Sequence, residues 1–173
     1  SRVAGSIRRA FPSASRKLRW PAFQTYVLPV IMYLSQAWHP KLKRDVNLLE
    51  KVQRRFTKAI KGLRDLTYVE RLRELQALTI ANRMIYADMV FIHKCLHGKV
   101  NVAASDLGLF PRSSNTRADG RRLIQRHTNY RTSNLFCFRA VSVWNKLPIH
   151  IVSCNSIPVF KHRLYRHLFL TQS

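Results

Sequence analysis

Five cations with helical spacing are the residues best suited to chemistry in this 173-residue chain. They are Lys51, Arg54, Arg55, Lys58 and Lys61. At 100° per residue they share one side of an α-helix. Like charges at i,i+4 repel by roughly 0.2 to 0.5 kcal/mol per pair, so an isolated helix gains nothing from such a row. A phosphate backbone is a common partner, because each neutralised phosphate releases counterions. The alternative is a solvated outer face.

The stretch Lys41 to Gly62 also contains the apolar residues that would hold this row in place. They recur at steps of three and four and continue to position 63: Leu42, Val46, Leu49, Val52, Phe56, Ile60 and Leu63. This period predicts an amphipathic helix around which the chain is organised, with Gly62 as its C-cap.

The charge balance indicates what kind of partner the chain has. Thirty-one Lys and Arg stand against eight Asp and Glu, and the net charge of +23 is far above what solubility requires of a domain this size. A membrane surface is the rival polyanion, but no apolar run reaches the about 20 residues of a spanning helix. We therefore expect a nucleic acid, RNA or DNA, as partner, no membrane, and the nucleus as location.

Residues for metal-dependent catalysis do not converge in this sequence. The Asp residues are scattered singly, at Asp45, Asp65, Asp88, Asp106 and Asp119. Nucleotidyl transfer needs carboxylates that meet on Mg²⁺, and no phosphate-binding glycine loop is present either. No catalytic or metal-binding residue is assigned, and no cofactor is expected in this chain.

Histidine and cysteine allow one further test for a metal site. His93, Cys95 and His97 lie two residues apart, and such residues point to different sides of a helix. We interpret them as parts of a partly buried helix, and we interpret Cys137 and Cys154 as small core residues because they lack a cysteine partner at zinc-finger spacing.

Further helices are predicted along the chain. The expected stretches are a short basic helix from Ser1 to Phe11, a helix from Ser15 to Trp38 with Pro21 in a first turn and a restart at Pro29, and a short helix opened by a Thr67–Glu70 capping box. Thr79 to His97 is apolar on most sides and is predicted to be the core helix, ended by Gly98. Trp20, Trp38 and Trp144 are predicted to be core residues.

The second half changes in character before it becomes helical again. Residues 99–134 are predicted to form a basic loop or linker with six arginines: Arg112, Arg117, Arg121, Arg122, Arg126 and Arg131. Ser133 or Asn134 is expected to cap one helix and Ser156 the last one. Ile149 to Val152 is the only strand candidate. The prediction is an all-α irregular helical bundle with a long Arg-rich loop and a C-terminal helical hairpin, divided into a thumb-like bundle at 1–98, the loop at 99–134 and a C-terminal segment at 135–173.

Several blocks of this chain resemble reverse transcriptases of non-LTR retrotransposons of the jockey type, in the region after the polymerase palm. The blocks are Tyr26-Val27-Leu28-Pro29, Ser35 to Pro40, Leu49 to Lys58 (LEKVQRRFTK), Gly62-Leu63, Tyr68-x-x-Arg71-Leu72, Phe138 to Pro148 (FRAVxxWNxLP) and Ser156-x-x-x-Phe160-Lys161 with Leu164. They cover nearly the whole chain in the right order, and LEKVQRRFTK is the strongest.

The resemblance implies a helical thumb that grips template and growing strand, with a C-terminal region behind it. Implied partners are template RNA or hybrid and the upstream palm of the same polyprotein, with time in the cytoplasm during ribonucleoprotein assembly. Mg²⁺ is implied only for the palm, whose aspartates this chain lacks, so polymerase activity does not transfer to it. The expected binding residues are Lys51, Arg54, Arg55, Lys58, Lys61, Arg117, Arg121, Arg122 and Arg126.

Two other readings of the same blocks stay open. The chain begins with Ser in the middle of a pattern, which suggests a fragment. A stand-alone basic nucleic-acid-binding protein derived from a retrotransposon would share the blocks, and so would a degenerate reading frame without function. The upstream reading frame separates these readings, because an intact palm would support the enzyme.

Overall fold

The structure is a computed structural model that describes residues 4–6, 9, 16–40, 42–112, 122–126 and 135–172. Within these residues the chain is an all-α bundle, which confirms the predicted fold class. Its helices are α1 (Arg16–Tyr26), α2 (Leu28–Met32), α3 (Ser35–Trp38), α4 (Lys43–Lys58), α5 (Tyr68–Glu74), α6 (Ile80–Leu96), α7 (Phe136–Trp144), α8 (Ile149–Val152) and α9 (Ile157–Thr171). The predicted helix from Ser1 to Phe11 lies largely outside the described residues.

Two compact units divide the chain. The first comprises Ser1–Arg83 with Gln172–Ser173, and the second comprises Met84–Thr171. The division at 98 and 134 that the sequence suggests stays a prediction.

The core of the first unit is aromatic where α1 meets α4. The Phe23 ring lies 5.4 Å from the Trp20 ring and 4.5 Å from the Phe56 ring, measured between centroids. The Arg19 guanidinium donates a hydrogen bond to the carbonyl of Ala59, the C-cap residue of α4. A cation at a helix C-terminus satisfies an orphan carbonyl and complements the helix dipole. These contacts hold the C-terminal half of α4.

Prolines and glycines set several helix ends, not all as predicted. Pro29 lies in the first turn of α2, so the predicted restart is confirmed. Pro21 lies inside α1, and its expected place in a first turn is wrong because the helix already begins at Arg16. The organising helix ends at Lys58, before Gly62, which adopts a left-handed φ of 81° in the following turn. Gly98 has a φ of 61° after α6.

The capping box that opens α5 is confirmed. The Thr67 backbone N–H donates to the Glu70 carboxylate at 2.7 Å, and the Glu70 N–H donates to the Thr67 hydroxyl at 3.4 Å. These two bonds satisfy orphan donors of the first turn.

The helix α6 is the core element that its composition predicts. Every one of its residues is buried or half-buried, and Ile80, Met84, Met89 and Ile92 have no exposed surface. A helix that is apolar over most of its circumference avoids water only when it is surrounded by other elements.

The second unit is built around the last helix. Phe160 of α9 stacks on the His93 ring at 4.1 Å and lies 5.8 Å from the Trp144 ring. The one strand candidate, Ile149 to Val152, forms the helical turn α8 with Ile151 and Val152 buried, in agreement with the predicted all-α class. Ser133 and Asn134 lie outside the described residues, and the N-cap position of α7 is Leu135.

Candidate nucleic-acid interface

The buried face of α4 contains polar residues that apolar periodicity does not reveal. Glu50 is buried, and its carboxylate accepts the Ile80 N–H at 2.9 Å and the hydroxyl of Tyr68. The Gln53 amide has no exposed surface and donates to the Leu78 carbonyl at 2.9 Å and the Tyr68 hydroxyl at 3.0 Å. Burial and the neighbouring Glu50 charge raise the pKa of Tyr68 well above its ordinary value, so the phenol stays protonated.

A second set of hydrogen bonds lies on the same buried face of α4, one helical turn after Gln53. The Arg71 Nε–H donates to the Thr57 hydroxyl at 3.2 Å, and its Nη1 donates to the Leu66 carbonyl at 2.6 Å. Thr57 in turn donates to the Arg54 carbonyl at 3.2 Å. Buried polar groups without partners would each destabilise the fold by about 1–3 kcal/mol, so these bonds strongly favour one rotation of α4 about its axis. That rotation decides which residues face solvent.

The exposed side of α4 presents four of the five predicted cations. Lys51, Arg54, Arg55 and Lys58 are all exposed. Lys61 is exposed too, but it follows the helix end at Lys58, so its predicted position on the helix is wrong. Within the part of the chain that the structure describes, none of these cations forms an ion pair.

Arg54 differs from the other three cations of the row. Its guanidinium lies 4.7 Å from the centroid of the Tyr68 ring, a cation–π distance. The stack joins the exposed row to the buried network, because Tyr68 is the residue that Glu50 and Gln53 also hold. A substitution of Arg54 would therefore alter a packing contact as well as a charge.

Open grooves flank the row. One of about 570 Å³ is lined by Arg44, Asn47, Leu48, Lys51 and Arg54. The other, of about 400 Å³, is lined by Ala4, Gly5, Leu48, Lys51, Val52, Arg55 and Phe56. Lys51 lines both grooves. At the start of the helix Arg44 is paired with Asp45 at 3.4 Å, which leaves Lys43 as the cation there without an ion pair among the described residues, so most of the uncompensated charge lies toward the C-terminal half of α4.

The arginines predicted in the 99–134 segment are only partly described. Arg117 and Arg121 lie outside the described residues. Arg122 and Arg126 belong to the second unit, where the Arg112 N–H donates to the Arg122 carbonyl at 2.8 Å. The Arg126 guanidinium lies 4.7 Å from the centroid of the Phe110 ring.

Asn145, the C-cap residue of α7, anchors this segment. Its side-chain amide accepts the Leu123 N–H at 2.9 Å and donates to the Leu123 carbonyl at 2.8 Å. Leu123 is buried, and it forms an isolated antiparallel β-bridge with Pro111. The described part of the segment is therefore tied to the body of the second unit, which its loop-like composition does not predict.

Where the described carboxylates are buried, they bind other groups of the protein. Asp88 receives two hydrogen bonds from the Arg139 guanidinium, at 3.1 Å and 3.3 Å. Burial raises the pKa of Asp88 to about 6, and the Arg139 charge limits the rise. Among the described residues no three His, Cys, Asp or Glu side chains come close enough to hold a metal ion. These residues do not fit a magnesium site of converging carboxylates.

The histidine and cysteine residues of α6 have structural partners. His93 has no exposed surface, and its Nε2 lies 2.7 Å from the Cys154 carbonyl. Its ring stacks on His97 at 4.1 Å, and burial lowers its pKa. Cys154 is buried, as predicted, and Cys137 is half-buried.

The three tryptophans divide in a way that the sequence does not foresee. Trp20 and Trp144 are core residues, as predicted. Trp38 is 42% exposed, so its predicted core position is wrong. It ends the four-residue helix α3, which is too short to bury one side continuously. Other exposed apolar residues precede it in α1 and α2 and in the turn after α2: Tyr26, Val30, Tyr33 and Leu34.

No helix in the described parts of the chain is long and apolar enough to cross a membrane. In comparisons with known proteins the chain matches no family model, no curated protein and no solved structure.

Proposed function

We propose that this chain is a thumb-like and C-terminal helical fragment of a non-LTR retrotransposon reverse transcriptase, which binds template RNA or RNA–DNA hybrid through phosphates. It would support copying by a palm elsewhere in the same polyprotein. The observation that carries the proposal is the row Lys51, Arg54, Arg55 and Lys58, which is exposed on one face of α4 while the opposite face is fixed by buried hydrogen bonds.

The dimensions of the row suit a nucleic-acid strand. Lys51 and Lys58 are seven residues apart, which is about 10 Å along a helix. Successive phosphates of one strand advance about 3.4 Å along a duplex axis, so the row spans about three phosphates. Lysine and arginine contacts to phosphates position a protein without reading bases. Binding that ignores sequence is what a polymerase thumb requires.

The LEKVQRRFTK block has a division of roles that supports the same proposal. Glu50, Gln53 and Thr57 are buried and hydrogen-bonded, whereas Arg55 and Lys58 are exposed and form no ion pair with any residue that the structure describes. The first set fixes the helix and the second set is left for a ligand. A solvated face of a packing helix usually mixes both signs of charge, whereas this set has one sign, which favours an anionic ligand.

The test is the salt dependence of binding. Lys51→Gln, Arg55→Gln and Lys58→Gln are combined in one variant, leaving Arg54 and its stack on Tyr68 intact. Fluorescence anisotropy with a labelled blunt RNA–DNA hybrid is measured over a series of salt concentrations. For the parent we expect a steep logarithmic slope, and for the variant a slope flatter by about 2 to 3, since each phosphate contact contributes about 0.7 to 0.9.

A matched control variant removes the same charge elsewhere. Lys99, Lys146 and Arg166 are exposed residues of the second unit, and Lys99→Gln, Lys146→Gln and Arg166→Gln lower the net charge equally. If both variants lose affinity and slope by the same amount, total charge and not the α4 face governs binding. An α4 variant that is folded by circular dichroism and keeps the parent's affinity and slope would refute the proposal.

A further inference from the structure

Two exposed aromatic side chains lie in the chain just before the basic helix. Tyr33 is 71% exposed and Trp38 is 42% exposed, and both belong to the first unit with α4. Large aromatic rings normally contribute to cores, so rings left in water on a folded unit indicate a surface with a partner.

The local backbone holds these two residues in place. Leu34, between α2 and α3, has a left-handed φ of 48°, a conformation that a leucine rarely adopts and that strains the chain. The Trp38 indole N–H donates to the Tyr33 carbonyl, and the Ala37 N–H donates to the Leu34 carbonyl at 2.8 Å. The turn is thus kept in a strained form that leaves Tyr33, Leu34 and Trp38 exposed. Ordering these side chains in advance lowers the entropic cost of binding.

The charge around the turn selects one class of partner. No Asp or Glu occurs before Asp45, whereas Lys and Arg are frequent there. Arg16, Lys17, Lys43 and Arg44 are exposed in the described part of this region. Arg16 pairs with Glu74 and Arg44 with Asp45, so Lys17 and Lys43 are the two without an ion pair among the described residues. Aromatic rings among cations that outnumber the acidic residues are the pattern of surfaces that bind single-stranded nucleic acid, because bases stack on rings while cations contact phosphates.

We propose that Tyr33 and Trp38 form a stacking platform for unpaired bases, so that the ligand of the first unit is a nucleic acid with a single-stranded segment. This inference rests on the proposed function, since it takes the α4 row as the phosphate contact of the same ligand. Trp38 and Lys43 are five residues apart, so the chain allows at most about 18 Å between their Cα atoms. Lys51, where the row begins, lies about 12 Å farther along α4. About nine nucleotides at 3.4 Å each cover the largest separation of about 30 Å.

The experiment compares two labelled probes, the blunt RNA–DNA hybrid and the same hybrid with an RNA overhang of about eight unpaired nucleotides. We expect the parent to bind the overhang probe at least about fivefold more tightly. Tyr33→Ala combined with Trp38→Ala should remove that preference and leave affinity and salt slope for the blunt probe unchanged. Tyr33→Phe combined with Trp38→Phe retains two π faces and should keep the preference. Val30→Ala, which removes exposed apolar surface without a ring, should keep it too.

Tryptophan fluorescence gives a second readout that does not depend on the alanine variant folding. Trp38 is the exposed tryptophan, while Trp20 and Trp144 are buried. Stacking should quench the Trp38 emission when the overhang probe binds, and Trp38→Phe should abolish most of the quenching.

Several results would overturn the stacking proposal. They are equal binding of both probes by the parent, a folded alanine variant that keeps the preference, or unquenched Trp38 in the bound state. Concentration-dependent self-association that only the alanine variant loses, with the preference unchanged, would assign the patch to a second copy of the chain. In each case the proposal that the α4 row binds phosphates survives if the salt slope for the blunt probe still depends on that row. If the slope does not depend on the row, that proposal is refuted separately.

Discussion

Replacing Glu50 tests whether buried hydrogen bonds fix the rotation of α4. In Glu50→Ala the Ile80 N–H and the Tyr68 hydroxyl lose their carboxylate acceptor. Hydrogen bonds to a charged group contribute about 1.5 to 3 kcal/mol each, and two that share one acceptor are not fully additive. We expect the free energy of unfolding to fall by about 3 kcal/mol.

The chain offers a matched control of the same residue type. Glu74 pairs with Arg16 at 2.8 Å, but both side chains are about half exposed. A solvent-exposed pair contributes about 0 to 1 kcal/mol, so Glu74→Ala should change stability little. Glu50→Gln retains an acceptor oxygen and should fall between the parent and Glu50→Ala.

The assay is urea denaturation followed by circular dichroism, with Tyr68→Phe added to complete a double-mutant cycle. A coupling energy of about 1 kcal/mol or more between positions 50 and 68 would show that the hydrogen bond acts in solution. If Glu50→Ala and Glu74→Ala are equally stable within about 0.5 kcal/mol, the carboxylate does not hold the helix, and the assignment of the exposed face loses its structural basis.

Two further predictions address the cores of the two units. Phe56→Ala should lower the free energy of unfolding by about 3 to 5 kcal/mol in urea denaturation, because it removes a buried ring packed against Phe23; a loss below about 1 kcal/mol would contradict this packing. Asp88 has a folded-state pKa of about 6, above its ordinary value of 3.8, so the folded state binds its proton more tightly. The stability that this proton contributes is present below pH 4 and is lost as pH rises to 6, by up to about 3 kcal/mol. The stability of the parent relative to Asp88→Asn should fall between pH 4 and pH 7, and a difference independent of pH would contradict the shift.

The sequence predicts those structural features that depend on residues close together in the chain. The Thr67–Glu70 capping box, the restart at Pro29 and the apolar α6 each depend on residues a few positions apart, and each is confirmed. The alternation at Ile149 to Val152 left a strand candidate that turned out to be a helical turn, since four residues are too few to separate a period of two from a helical turn.

Long-range pairing could not be predicted from periodicity. Glu50 and Gln53 look like solvent-facing residues in a helical pattern, and they are buried because Tyr68 and Leu78 supply partners 15 to 25 positions later. The exposure of Trp38 has the opposite origin, because its apolar neighbours suggested a core helix that the turn at Leu34 interrupts.

The α4 row gives a last prediction, in which stability and binding change in opposite directions. Lys51–Arg55, Arg54–Lys58, Lys51–Arg54 and Arg55–Lys58 are like-charge pairs at i,i+3 or i,i+4, and together they destabilise the helix by about 1 to 2 kcal/mol. Every one of these pairs includes a residue that the triple glutamine variant neutralises. That variant should therefore be more stable to urea than the parent while it binds the hybrid more weakly.

A solvated face would give the same stabilisation without any loss of affinity. The control variant at Lys99, Lys146 and Arg166 removes one such helical pair, Arg163–Arg166 of α9, and should gain less stability. Glu50, Gln53 and Thr57 hold the helix on its other side, so the repulsion between the cations persists in the folded state. This loss of stability is what we expect of a face that binds phosphates. If the triple variant is destabilised, the row takes part in packing, and the division between a structural and a binding side of α4 is wrong.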